Sequence, residues 1–244
     1  MPVPDYSVFI PVLNEEAILA ENIEQLLEFL RGLGRGFELI VGSNGSDDAT
    51  PALGAELAQR HPELRFFHID QKGPGRAFAH ALGLVTSDRL VTLDMDLSTS
   101  LDFVPRALKL LDTHAVVVGS KRQGRQERSL TRILGSGSYI FCARLLLGMP
   151  YEDYSIGSKG FQAGLLRRYA AAVDWNTAYV GNLIYCAHCA GLPVIEIPVT
   201  CHDTRASRFR LGHEGLYRFA WLGRLFWRCR LLGRPVDGGL DAGG

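Results

Sequence analysis

Arg89-Leu90-Val91-Thr92-Leu93-Asp94-Met95-Asp96-Leu97-Ser98 is the stretch that decides the fold. An apolar, strand-forming run delivers two carboxylates, one residue apart, to its C-terminal end, where both can approach one point. Hard divalent cations prefer such oxygen ligands, and Mg²⁺ is commonly held by one or two carboxylates together with substrate phosphates. The stretch therefore reads as a site for Mg²⁺ or Mn²⁺ beside a nucleotide diphosphate, with Asp94 and Asp96 as ligands and Ser98 helping through water. The plainer reading, a turn capped by its own side chains, stays open at this point.

Working outward, the same pattern of strand followed by polar loop recurs. Tyr6-Ser7-Val8-Phe9-Ile10-Pro11 is a short β-rich run stopped by proline, and Asn14, Glu15 and Glu16 open a helix through about Arg31 with Ile18, Ile23, Leu26, Leu27 and Leu30 on its apolar stripe. Phe37 to Val41 is a second strand leading into Gly42-Ser43-Asn44-Gly45-Ser46-Asp47-Asp48; Thr50 then caps a helix with Pro51 in its first turn. Phe66 to Ile69 is a third strand. Gly73-Pro74-Gly75-Arg76 precedes a helix over residues 76–85, and offers either a phosphate cradle at a helix N-terminus or a plain turn. Strands and helices alternating at this spacing predict an α/β fold with a mostly parallel central sheet flanked by helices. Ligands in such sheets bind beyond the carboxyl ends of the strands, so Pro11 to Glu15, Ser43 to Asp48 and Asp94 to Ser98 are expected on one rim.

The chain has 244 residues, 47% of them hydrophobic, and a formal net charge of +0, which gives nucleic acid no bulk attraction. Charge is uneven: from His202 onward eight arginines face four acids, and Lys121 to Arg132 is also basic, so both read as anion-facing surfaces or solvated faces. Five cysteines and a start without a basic, apolar leader predict a reduced, cytoplasmic setting. Cys186, Cys189 and Cys201-His202 have spacing reminiscent of zinc, but Leu183 to Ala190 reads as an apolar helix with buried thiols. No segment approaches the ~18 apolar residues of a membrane span. Gly212 to Gly233 is an expected helix that sets Leu216, Phe219, Trp227 and Leu231 among Arg218, Arg224, Arg228 and Arg230, a composition suited either to a membrane interface or to packing on the protein.

Together these segments resemble the family 2 glycosyltransferases. Ser7 to Glu15 is similar to the family's strand with P-x-x-N-E, Glu38 to Thr50 to its E-I-I-V-V-D-D-G-S-T-D-G-T segment, and Leu93 to Ser98 to its L-D-A-D-L-S, the DxD motif. Val118-Gly119-Ser120-Lys121-Arg122, Arg132 with Ser136, Asp153 to Phe161, Gly191 to Val199 and Asp203-x-Arg205-x-Ser207-Arg208-Phe209 resemble the dolichyl-phosphate mannose synthase and polyprenyl-phosphate glycosyltransferase branch. The resemblance implies a GT-A nucleotide-sugar-binding fold over residues 1–210, followed by an amphipathic helical tail and a frayed end over 211–244. It departs at Ser43-Asn44, where the family carries two acids. It departs again at Gly181-Asn182-Leu183, where many members that glycosylate a hydroxyl carry one.

The resemblance assigns roles residue by residue. Pro11, Asn14, Glu15, Asn44, Arg76, Asp94, Met95 and Asp96 would bind a GDP- or UDP-hexose. Asp94, Asp96, Arg205 and Arg208 would stabilise the departing diphosphate. Arg122, Arg132 and Lys159 would hold an acceptor phosphate. That acceptor follows from the missing base: a hydroxyl must lose a proton on attack, whereas a phosphate monoester is already an anion. The expected reaction is inverting transfer of a hexose to a polyprenyl phosphate, at the cytoplasmic face of a membrane touched by the tail, with a homo-oligomer compatible. Two alternatives stay open: transfer to a soluble or glycan hydroxyl with Glu152 or Asp153 as base, and a non-catalytic membrane-associated adaptor.

Overall fold

Runs of β-branched and aromatic residues buried on both faces make the inner strands of the sheet, since a strand covered by helices on either side has no wet face to keep polar. β1 (Tyr6–Val12) is the clearest case, with Tyr6 through Ile10 wholly inaccessible. In the computed structural model, which describes residues 3–121, 130–154, 156–201 and 211–236 (side chains of 130–136 and 211–214 excepted), β1 is joined by six further strands. They are β2 (Phe37–Asn44), β3 (Leu64–Ile69), β4 (Arg89–Thr92), β5 (Val116–Ser120), β6 (Lys159–Gln162) and β7 (Val194–Pro198). The order is β3-β2-β1-β4-β6-β5-β7, parallel throughout except for β6, which runs antiparallel to both β4 and β5.

Two helical layers cover the sheet. Helices α1 (Leu19–Gly32), α2 (Thr50–Arg60) and α4 (Phe103–Leu110) pack on one face through Leu26, Leu57 and Phe103. Helices α3 (Pro74–Leu82), α5 (Leu130–Leu147), α6 (Ala163–Arg168), α7 (Tyr179–Cys189) and α8 (Leu211–Leu225) cover the other, around Phe78, Phe161 and Leu183. Helix α8 passes directly into a π-helical turn, Phe226–Leu231. Among the described residues no helix is long and apolar enough to cross a membrane. Cys186 and Cys189 lie on α7, as their apolar setting suggests.

Register places the rim. Val12 lies opposite Ser43, Asn44 opposite Ile69 and Phe9 opposite Thr92, so the loops after β1, β2 and β4 open side by side. β1 sends its chain to β2 on one side while β4 lies on the other; this is the switch point at which an α/β sheet leaves a crevice. The acidic pair follows β4 directly.

Several boundaries differ from the sequence reading. β1 continues through Pro11, which pairs with Gly42; the pairing with β4 has already ended at Phe9, so the missing N–H is tolerated there. The first helix begins at Leu19 rather than beside Asn14, and the third spans Pro74–Leu82 rather than 76–85. Thr50 is the first residue of α2 rather than its cap; its hydroxyl accepts the Glu15 N–H and its own N–H donates to Asp48 Oδ1.

The tail helix packs with one face and exposes the other. Trp221, Leu222 and Leu225 are buried against α5 and α7, the Trp221 Nε1–H donates to Asn182 Oδ1 at 2.7 Å, and Tyr217 donates to Asp174. Leu216 and Trp227 stay in solvent at 75% and 61% exposure.

Candidate active site

The donor side of the rim is a clamp between the loops after β1 and β2. Asn14 sits in the left-handed region at φ +56, a conformation that asparagine tolerates better than most residues. Its Oδ1 accepts the Asp47 N–H at 2.9 Å, its Nδ2 donates to Asp47 Oδ1, and its own N–H donates to Ser46 Oγ at 3.0 Å. Glu15 N–H goes to Thr50 Oγ1, and Ala49 N–H goes to Glu16 Oε2. These bonds hold the backbone of 14–16 out of the helix and set Glu15, partly buried, at the rim beside Pro11.

Asn44 differs from its expected role of meeting a nucleobase. It is 2% exposed, and both ends of its amide are engaged: Nδ2 donates to Val12 O and Oδ1 accepts the Gly73 N–H. Its side chain ties the ends of β1 and β2 to the turn before α3. Sequence reading missed the neighbouring Ser43, whose hydroxyl meets Ser46 Oγ and His68 Nδ1 at 2.9 Å each. The signal was the loss of an acid at Ser43 together with a histidine near the end of β3, directly across the sheet.

The acidic pair occupies a short irregular turn. Leu97 takes φ +47, its N–H donates to Asp94 O, and Ser98 N–H donates to Asp96 Oδ1 at 2.9 Å. Asp96 is exposed. Asp94 is partly buried and its Oδ2 accepts the Gly157 N–H at 3.2 Å. Glycine at 157 lets the Asp94 carboxylate stand where it does, since a Cβ there would sit 2.5 Å from Asp94 Oδ2 and closer to Oδ1 and would displace it. Met95 is buried, and its carbonyl accepts from Asn22 Nδ2 at 2.7 Å. Burial first, then the Asp96 carboxylate, push the Asp94 carboxyl above its ordinary range, while Lys121, the Gly157 amide and Lys159 pull it back.

Among the described residues no salt bridge neutralises Asp94 or Asp96. Buried hydroxyls of Thr99, Ser120 and Ser158 nearby have no hydrogen-bond partner among them either. Two mutually repelling carboxylates with hard oxygen donors fit a divalent cation, which would remove the repulsion that raises Asp94.

Lys159 lies beneath the rim rather than on it. It is fully buried, its Nζ donates to Ile156 O at 2.7 Å, and burial lowers its pKa to about 8 against the pull of Asp153, Asp94 and Glu196. Asp153 is also buried, with its oxygens accepting the Lys121 and Ile156 N–H groups. Glu152 pairs with Arg144 at 3.3 Å. Both candidate bases are thus engaged in holding the loop. The turn before α3 is occupied by protein backbone: a Cβ on Gly73 or Gly75 would run into the carbonyls of Trp175 or Asp174, and the Arg76 N–H donates to Trp175 O. Of the two readings of this stretch, phosphate cradle or plain turn, the space beside Gly73 and Gly75 holds these carbonyls. The Arg76 guanidinium lies 3.8 Å over the Trp175 ring, at the rim of this contact. Arg122, Arg205 and Arg208, and the side chain of Arg132, lie outside the described residues.

With this geometry in hand, the family model described as glycosyl transferase family 2 matches residues 7–171. The chain belongs to that family. Glycosyltransferase AglD of Haloferax volcanii is 25% identical to this family 2 chain over 236 residues, covering 92% of the chain and 37% of AglD. The undecaprenyl-phosphate 4-deoxy-4-formamido-L-arabinose transferase of Salmonella paratyphi B is 30% identical over 167 residues, 68% of the chain and 51% of the relative. The chain therefore spans about half, or less, of the curated relatives it matches. Among solved structures, the glucosyl-3-phosphoglycerate synthase of Mycobacterium tuberculosis in complex with Mn²⁺ and UDP-glucose superposes with a TM-score of 0.67 at 21% identity. That match covers 95% of this chain and 80% of the synthase. The mannosyltransferase PcManGT of Pyrobaculum calidifontis, in complex with GDP-mannose and Mn²⁺, gives 0.61 at 19% identity, covering 96% and 66%. These similarities establish the GT-A fold.

Proposed function

We propose that this chain is a metal-dependent, inverting glycosyltransferase that moves a hexose from a nucleotide diphosphate to a polyprenyl phosphate at a membrane surface. The observation that carries the reading is the Asp94–Asp96 pair at the switch point of the sheet, beside the loop clamp of Asn14 and Glu15. Support for a lipid phosphate comes from the relative whose name specifies undecaprenyl phosphate. Support for Mn²⁺ with a nucleotide sugar comes from the two structures that contain them.

Asp94 and Asp96 would hold Mg²⁺ or Mn²⁺, with Ser98 assisting; the ion supplies charge to the departing diphosphate. Pro11, Asn14 and Glu15 shape the donor cleft, Asn44 holds its floor through backbone bonds, and Arg76 with Met95 borders it. Arg205 and Arg208 close on the diphosphate, whose charge grows in the transition state. Arg122 and Arg132 orient the acceptor phosphate, and Lys159 adds positive potential from below. The acceptor oxygen attacks the anomeric carbon from the face opposite the diphosphate, so configuration inverts and no side chain need take a proton. Engagement of Glu152 and Asp153 in the loop argues against the hydroxyl-acceptor reading. We further propose residues 1–210 as the catalytic domain and 211–244 as the membrane-facing tail, on the cytoplasmic side.

The test offers nucleotide-diphosphate hexoses and Mn²⁺ with detergent-dispersed polyprenyl phosphate beside simple sugars. Transfer to the lipid phosphate, abolished by chelation and by Asp96→Ala in a normally folded protein, is the expected result. Transfer only to hydroxyls, or undiminished turnover by Asp96→Ala, refutes the reading.

A further inference from the structure

Two bonds fasten the tail helix α8, and they end in different places. Trp221 donates to Asn182, within α7. Tyr217, one turn earlier, donates to Asp174, which lies in the irregular segment between Ala172 and α7. Asp174 is 1% exposed, and its Oδ1 is buried without a hydrogen-bond partner among the described residues. Burial pushes its carboxyl above the ordinary range; the Tyr217 hydroxyl, then the amides of Asn176, Tyr179 and Ala178, pull it back. A carboxyl group buried in this way keeps its place only while its donors do.

The same segment walls the donor rim. The carbonyls of Asp174 and Trp175 press on Gly75 and Gly73, the Arg76 N–H donates to Trp175 O at 3.2 Å, and the Arg76 guanidinium covers the half-exposed Trp175 ring. Gly73 in turn donates its N–H to Asn44 Oδ1 at 3.1 Å. Asn44 Nδ2 holds Val12 O at 2.9 Å, at the foot of the loop that carries Asn14 and Glu15. Contacts therefore run without a gap from Tyr217 to the donor clamp, as a physical coupling between two places requires. On its other side the segment approaches the acidic pair: after burial, Asp94 and then Asp174 raise the Tyr179 hydroxyl, so both acids lie within its electrostatic reach.

We infer that Tyr217 and Asp174 are positioning residues of the donor site: their bond holds residues 174–176 against the turn before α3, and so sets the cleft in which the nucleotide diphosphate lies. Without the hydroxyl, the Asp174 carboxyl turns toward water and draws the two carbonyls away from Gly73 and Gly75. The inference rests on the nucleotide-sugar reading of that cleft and not on the identity of the acceptor. Trp221 supplies the control, because it holds the same helix through Asn182, whose side chain bonds Ala172 O and not the rim segment.

GDP and UDP, each with Mn²⁺, are titrated calorimetrically into the full chain with no acceptor present. Tyr217→Phe should weaken the binding about five- to tenfold, toward the lower end of couplings between sites. Trp221→Phe, which also loosens α8, should bind as wild type does. In turnover, Tyr217→Phe should raise KM for the donor and leave kcat nearly unchanged. If that variant melts too early to assay, hydrogen exchange on wild type carries the comparison: coupling acts in both directions, so nucleotide with Mn²⁺ should slow exchange of the backbone around Tyr217. Tyr217→Phe that binds as well as wild type, Trp221→Phe that loses as much, a loss confined to kcat, or exchange in α8 indifferent to nucleotide overturns the inference. Wild type that binds neither nucleotide overturns the donor reading itself, and this inference with it.

Discussion

Gly157→Ala tests whether the placement of Asp94 matters. The added methyl would sit 2.5 Å from Asp94 Oδ2 and nearer to Oδ1 and Cγ. Ordinary contact begins roughly 1 Å further out. Gly157 is held on both sides, by its amide to Asp94 and by its carbonyl, which accepts from Thr92 Oγ1, so the carboxylate must swing away. A misplacement of about 1 Å at a reacting centre costs on the order of 10²-fold in rate. Overpacking of this kind costs about 1–3 kcal/mol of stability. The assay pairs transfer kinetics with melting temperature measured with and without Mn²⁺, because a cation bound only by the native state raises stability. Wild type should gain stability with Mn²⁺ and Gly157→Ala should gain little. Adding Asp94→Ala should remove the clash and recover the cation-free melting temperature without recovering turnover. A Gly157→Ala protein with full turnover and a full Mn²⁺ response would refute the argument that this carboxylate must stand where it does.

Trp221→Phe removes the donor to Asn182 and leaves a buried amide oxygen unpaired, so it should cost about 1–3 kcal/mol in urea unfolding. A neutral outcome would mean that α8 is not held at that point. Lys159 yields a pH signature: folded it releases its proton near pH 8, against an ordinary value of 10.5. Between those values the unfolded chain binds more protons, so this group makes stability rise with pH across that window. Lys159→Met should flatten that increment in paired unfolding curves, and identical slopes would show that the ammonium is not desolvated.

The rim was legible in the sequence because each strand there ends in residues with chemistry of their own: Asn14-Glu15, Asp47-Asp48 and Asp94-x-Asp96. Apolar β-rich runs and helical stripes gave the alternation of α and β. What stayed hidden depends on partners distant in the chain. Asn14 takes a left-handed backbone because Ser46 and Asp47 hold it there, so a local rule that starts a helix at this point misplaced α1 by several residues. Gly73-Pro74-Gly75 has the composition of a phosphate cradle, yet the backbone of 174–176, a hundred residues on, fills the space. Lys159 carries a charge that predicts solvent, and only the pairing of β6 between β4 and β5 explains why it is buried. Four residues, KGFQ, give that strand too little pattern to be read alone.

Asn182 links two properties that look independent. One end of its amide accepts from Trp221 and the other donates to Ala172 O, so it fastens the tail within Gly181-Asn182-Leu183, the stretch where the family resemblance leads one to expect an acid in members that glycosylate a hydroxyl. An aspartate there would still accept from the indole, but would turn a second carboxylate oxygen on a carbonyl inside a dry interior. A lineage moving toward sugar acceptors by placing an acid at Asn182 would thus loosen its own anchor, and would have to rebuild the helix packing before the new base was of any use.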